Sequence, residues 1–336
     1  MRRGVALVVL TSGLVCAFAS AGGDARADGC AGVLSTCIND DTLWPHAGPG
    51  LFESIGSART TAEGRLAFGV VTTYLSRPIV LQLVSPGQGS NQYVVDDQVT
   101  GTFLYAYGVT DRLELDVALP LTFGQGGTGL APVTGGAGLK DTAVRDLRFG
   151  FSFDVLKMAP EGSAESRGGV VARFETSAPT GDEDQFAGEQ AAVFVPSVSG
   201  EWHVGAWFAG AEAGLRVRPI AQLLGARVGT QVLAAIGTGY EILPRGLLSA
   251  QIEAWALPTF AEQATPVIVG ASYGAVPDGS HIVPAEWQLS LRTAPLAGGD
   301  LAIDLGGGGG IPLDGSLPIT TPRFRFTLGL RWAPVR

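Results

Sequence analysis

Cysteine is nearly absent from this chain: only Cys16, Cys30 and Cys37 occur in 336 residues, and none follows position 37. The long remainder therefore has no disulfide, and an exported body of that size has to rely on closed sheet hydrogen bonding for its stability. Lysine is scarcer, with Lys140 and Lys157 alone. No basic stripe exists, which excludes a nucleic-acid partner. Only three histidines are present, His46, His203 and His281. Beyond the N-terminus no apolar stretch reaches the ~20 residues of a membrane-spanning helix. Despite 49 glycines, mean hydropathy is +0.27, opposite in sign to that of a disordered chain.

The N-terminus carries an export signal. Arg2 and Arg3 precede an apolar run from Val5 to Val15, followed by Ala19-Ser20-Ala21 and Ala25-Arg26-Ala27. Basic, apolar and small-residue regions in that order make a secretory signal over residues 1–27, cleaved after Ala21 or Ala27. Val15 before Cys16 argues against a lipidation site, because a lipobox needs a small residue there. Cleavage after Ala27 removes three arginines and one aspartate, taking the net charge from −9 to −11. Cys30 and Cys37 then remain near the mature N-terminus, where an exported pair is expected to form a disulfide.

What fills the rest is alternation. In Phe324, Phe326, Leu328, Leu330 and Trp332 the apolar residues share one face, and Arg323, Arg325, Thr327 and Arg331 share the other. Period two makes a strand with unlike surroundings on its two sides. Similar runs occupy about 65–75, 98–108, 112–123, 146–156, 168–177, 191–204, 206–217, 227–241, 246–257, 285–294 and 300–307. Short gaps after even-numbered runs alternate with longer Gly-, Pro- and Asp-rich gaps after odd-numbered ones, such as 124–145 and 258–284. An even strand count, alternating loop lengths and aromatics on one face predict an all-β protein: a transmembrane antiparallel up-and-down β-barrel of about 12 strands over 65–336. A soluble sandwich needs neither that regularity nor those outward aromatics. The parity places both chain ends on the periplasmic side. Residues 28–64 lack alternation and cluster Trp44, Pro45, His46, Gly48 and Pro49. They read as a periplasmic extension or a plug-like segment.

Some of these residues look familiar. Gly108-Val109-Thr110-Asp111-Arg112-Leu113-Glu114-Leu115 resembles the "GVTDRLEL" hairpin of Gram-negative outer-membrane proteins of the transporter or OmpA-family barrel type. The stretch from Ala178 to Phe186 resembles their "PSGDED-F" loop, and Val144-Arg145-Asp146-Leu147-Arg148 stands where they carry a "GDLRLG"-like strand start. The resemblance covers roughly 65–332 and implies an outer-membrane location, contact with lipid and lipopolysaccharide, and insertion by the barrel-assembly machinery. Many such proteins continue into a peptidoglycan-binding domain, for which this sequence shows no counterpart. Ala333-Pro334-Val335-Arg336 follow Trp332 where the assembly signal usually ends on an aromatic.

Chemistry is sparse. Gly270-Ala271-Ser272-Tyr273-Gly274 matches the G-x-S-x-G pattern, yet it lies in a long loop without the strand-to-helix turn of a nucleophile elbow. His203 sits near a short turn with no serine placed to pair with it, so a lipid-active enzyme is a third-ranked reading. Asp182, Glu183 and Asp184 lack the ligand spacing of an EF-hand and read first as a solvated loop. Gly306 to Gly310 is not a phosphate loop, since no Lys-Ser/Thr follows. No catalytic residue, metal site or cofactor is expected.

The informative set is the inward face. Alternation directs Glu114, Asp116, Arg148, Asp154, Arg173, Glu175 and Glu212 into the lumen. Arg216, Gln251, Glu253, Glu286, Arg292, Asp304, Arg325 and Arg331 join them. Two readings stand. One is a hydrated pore whose charged wall selects small solutes for passive passage; the other is an ion-pair network that closes a structural barrel.

Overall fold

The computed structural model describes residues 30, 32–82, 91–157, 166–243, 247–269, 272–296 and 301–334. The signal segment 1–27, Cys16 and the Pro244-Arg245-Gly246 turn lie outside the described residues. Twelve long strands form the wall: β1 Leu66–Gln82, β2 Asn91–Gly108, β3 Leu113–Gly126, β4 Arg148–Leu156, β5 Ser166–Ser177 and β6 Val193–Val204. They continue as β7 Trp207–Arg216, β8 Gln231–Leu243, β9 Leu248–Ala256, β10 Ala285–Leu296, β11 Leu301–Gly310 and β12 Phe324–Trp332. Each strand pairs antiparallel with the next, and β12 returns to β1 through Phe68↔Trp332, Val70↔Leu330 and Tyr74↔Phe326. The sheet is thus a closed up-and-down barrel without an edge, so the wall strands meet hydrogen-bonding neighbours on both sides.

Alternation sorts the side chains. Phe149, Phe151 and Phe153 of β4 are exposed on the outside, as are Phe324, Phe326, Leu328 and Leu330 of β12. Arg148, Ser152 and Asp154, and Arg325, Thr327 and Arg331, are buried on the inside. An apolar exterior around a polar interior inverts a soluble protein and matches a wall immersed in lipid. Among the described residues no helix is long and apolar enough to cross a membrane; crossing falls to the strands.

Two boundaries move outward from the sequence reading. β1 and β2 run on past residue 75 and start before residue 98, as a hairpin projecting beyond the barrel. Arg77 adopts φ 54° before Pro78, and the register shifts between Ser76 and Ile79. That irregularity breaks the alternation without ending the pairing. Loop 258–284 also contains a two-stranded ribbon, Ala264–Val269 with Ser272–Pro277, and Ala221–Leu223 pairs with Ala226–Val228. These projections converge over the long-loop end, where Ile38, Ile79, Val95, Leu130, Phe186 and Leu223 form an apolar cap.

The placement of both chain ends at one end of the barrel is corrected. Leu34 bridges Leu223 at the long-loop end, whereas Glu63 bridges Gly108 at the short-turn end. Residues 34–63 therefore run the length of the lumen before β1 begins. Residue 30 and Pro334 lie at opposite ends.

Candidate functional site

The candidate site is the lumen, and the N-terminal segment occupies it. At the long-loop end Cys30 and Cys37 form a disulfide with Cα atoms 5.2 Å apart. The Cys30 sulfur lies 3.1 Å from Glu183. Asp40 then meets Arg145 at 2.7 Å and accepts a hydrogen bond from Gln98 of β2. Asp41 pairs with Arg325 at 2.9 Å, and Arg325 also donates in a fork to Glu286, at 2.8 and 3.0 Å. Thr42 donates to the same Glu286. Such bidentate guanidinium pairs are the most directional ionic contacts a protein makes.

Deeper in, the indole of Trp44 is flanked by two guanidinium groups, Arg148 at 4.8 Å and Arg216 at 4.4 Å from the ring centroid. Each arginine also donates to a carbonyl of the segment, Arg148 to Pro45 and Arg216 to Thr42. His46 places Nδ1 3.2 Å from Glu175 and Nε2 3.4 Å from Glu212. A carboxylate thus faces each ring nitrogen.

Phe52 needs bare wall. A Cβ on Gly237 or Gly210 would stand 2.6 or 2.8 Å from its ring, so only glycine admits it there. Phe208, Ile55 and Trp255 complete that cluster. Toward the short turns, Arg331 holds Glu53 at 2.7 Å and donates to the His46 carbonyl. Glu253 accepts from the Ser54 amide and hydroxyl, at 2.8 and 2.6 Å. Glu212 accepts from the Gly56 amide, Glu114 from the Thr61 amide and Asp154 from the Thr60 hydroxyl. Arg173 donates to the Ser57 carbonyl, Gln251 and Arg292 to that of Leu51.

The inward residues named from the sequence are thus brought together, but onto a segment of chain rather than around open solvent. All of the charged ones except Asp116 and Asp304 touch it directly. Asp304 pairs with Arg292 on the neighbouring strand, and one Asp116 oxygen has no partner among the described residues. Between segment and wall lie cavities that include two of about 20 Å³ each. Trp44 and Arg148 bound the first; Trp44, His46 and Arg216 bound the second. Each has room for roughly one water.

Several participants escaped the sequence reading. Asp40, Asp41, His46 and Glu53 belong to a stretch without periodicity, and their only signal was dense polarity next to Trp44 and Pro45. Glu201 alternates inward on β6 and is buried. Arg145 and Asp146 sit between a two-residue strand and β4. Asp146 accepts from the amides of Thr180, Gly181 and Glu189, at 3.1, 2.8 and 2.9 Å. It thereby ties loop 127–147 to loop 178–192. Burial nevertheless pushes its carboxyl up to about 6, because those amides offset only part of the desolvation.

Other candidates take structural places. Asp182 accepts from the Val144 amide, and Glu183 and Asp184 open a short 3-10 turn. Ser272 begins the second strand of the ribbon, with no helix following, while Gly270 and Ala271 lie outside the described residues. His203 of β6 stacks on Phe208 and approaches Glu201 at 3.9 Å. In the Gly306–Gly310 run, a Cβ on Gly308 or Gly309 would collide with neighbouring backbone, so these glycines permit close strand approach.

Closed wall, apolar exterior and polar filled interior define a β-barrel of the outer-membrane type. An outer-membrane channel of Pseudomonas putida F1 has a similar fold, with a TM-score of 0.55 and 14% identity over 83% of this chain and 98% of the other. The toluene transporter TbuX of Ralstonia pickettii aligns more loosely, with a TM-score of 0.35 and 9% identity over 81% of this chain and 90% of the other. No family model matches the chain, and no curated protein matches it in sequence.

Proposed function

We propose that this protein resides in the outer membrane and is a passive channel for small solutes, shut in the present structure by its own N-terminal segment. The observation that carries the reading is the chemistry of the segment–wall contact, which is mostly ion pairs and hydrogen bonds. A permanently filled barrel gains more from apolar packing, since buried ion pairs repay little of their desolvation. A wall of carboxylates and guanidinium groups suits a lumen that also exists hydrated. The apolar outer band meets lipid and lipopolysaccharide, and the barrel-assembly machinery inserts it. The hairpin at 108–115 and the loop at 178–186 support kinship with transporter or OmpA-family barrels. No step requires a catalytic residue.

The density of contacts between segment and wall favours a second reading, a structural barrel that never opens. Conductance in a planar bilayer separates the two. Ser54→Cys with Glu253→Cys, joined by a short thiol cross-linker, pins the segment at the position of its 2.6 Å hydrogen bond. The channel reading expects stepwise openings from the unlinked protein and their loss on cross-linking. Silence from folded protein in both states would establish the structural barrel instead.

A further inference from the structure

The charges of the wall are sorted by depth. Within five residues of the short-turn end, β3 carries Glu114 and Asp116, β4 Asp154 and β6 Glu201. Continuing around the barrel, that zone holds Glu212, the half-buried Glu241, Glu253 and Asp304. Among the described residues its inward guanidinium groups are Arg167, Arg292 and Arg331. Seven or more residues from the same end the balance reverses: Arg148, Arg173, Arg216 and Arg325 face Glu175 and Glu286.

The segment reaches into both zones. It answers the guanidinium zone with Asp41, with the carbonyls of Thr42 and Pro45 and with the face of Trp44. In the carboxylate zone it answers with the amides of Ser54, Gly56 and Thr61 and the hydroxyl of Thr60, yet some carboxylate oxygens there stay outside that set. Asp116 and Glu201 are 7% and 3% exposed, yet Oδ2 of the former and both oxygens of the latter lack a hydrogen-bond partner among the described residues, His203 standing 3.9 Å from one Glu201 oxygen. One oxygen of Asp154 is in the same position. Unpartnered buried carboxylate oxygens are costly and demand a donor or a cation.

We infer that the open lumen selects for cations, and that Asp116 and Glu201 in its short-turn half are the residues that set the preference. The inference rests on the channel reading above. The ligand class is a small hydrated cation, inorganic or an organic ammonium, in transit rather than held. Among the described residues the one three-ligand grouping within metal-binding reach is Cys30, Cys37 and Glu183, away from this zone. Wall carboxylates spread around a low-dielectric tube concentrate counter-ions without caging one.

The test is the reversal potential of the full-length protein in a bilayer under a potassium chloride gradient. We expect potassium to be preferred over chloride by about tenfold, the lower end of what a charged cleft achieves. Asp116→Asn with Glu201→Gln should bring the ratio toward unity, and Arg148→Gln should raise it. Channels without cation preference, or with a preference untouched by the carboxylate pair, overturn the inference and leave the channel reading intact. Absence of conductance from both proteins overturns the two together. If the double variant fails to fold, the sign of the unmodified protein's potential still decides the cation preference, and Asp116→Asn alone, expected to lower the ratio, decides the assignment.

Discussion

Arg325 of the last strand and Asp41 of the luminal segment form an ion pair at 2.9 Å, 284 positions apart in sequence. Because Arg325 also grips Glu286 of β10 and is fully buried, it ties the luminal segment to two strands of the wall at once.

Arg325→Leu therefore leaves the buried Asp41 and Glu286 carboxylates without their guanidinium partner. Losing one partner of such a cluster costs about 3–5 kcal/mol. We expect a lower denaturation midpoint, read by loss of sheet circular dichroism. Asp41→Asn added to Arg325→Leu should cost less than the two single effects summed, since the residues share one network.

Phe52 tests the apolar part of the grip. Phe52→Ala empties a site bounded by Phe208, Ile55 and Trp255 and is expected to destabilise the packed segment by about 3 kcal/mol. Gly237→Val should act alike by denying the ring its space. Both are expected to raise the frequency of channel openings, and an unchanged frequency would separate Phe52 from the closure.

Asp146 gives a dependence on pH. Its folded value near 6 lies above the ordinary 3.8, so the folded loop pair binds the proton more tightly than the unfolded chain. Stability from this group accordingly rises as pH falls through about 6 and levels off below the ordinary value. Proteolysis of loops 127–147 and 178–192 should slow between pH 7 and 4, and Asp146→Asn should flatten that dependence.

Threading predicts an uncommon topology. A protease site placed at exposed Gly32 should be cut from the same side as one at Gly279 in the long ribbon loop. A site at the Gly205 turn should be cut from the other side. Cleavage at Gly32 and Gly205 from one side would contradict the lumen-long path.

Much of this architecture was legible because a lipid-facing strand must alternate. The twelve strands, their antiparallel order and the inward set from Glu114 to Arg331 all follow from period two. The extension of β1 beyond Ser76 was not legible, since Arg77 and Pro78 disrupt the pattern while Asp96 pairs with Arg77 across the hairpin. The path of residues 34–63 was hidden for a deeper reason. A segment held by side chains rather than by a sheet ladder has no period. Its partners, such as Glu253 for Ser54, are fixed only once the wall has closed. The motifs around Asp146 and Gly181 were visible separately, and only the fold shows that one hydrogen-bonds the other.

The luminal segment is continuous with β1 at one rim and has its disulfide loop at the other. A cord anchored at one end can be drawn out only through that end, so withdrawal would haul the Cys30–Cys37 ring down the full bore. The ring then works as a knot at the far end of the cord: it lets the cord slacken in place and resists its removal.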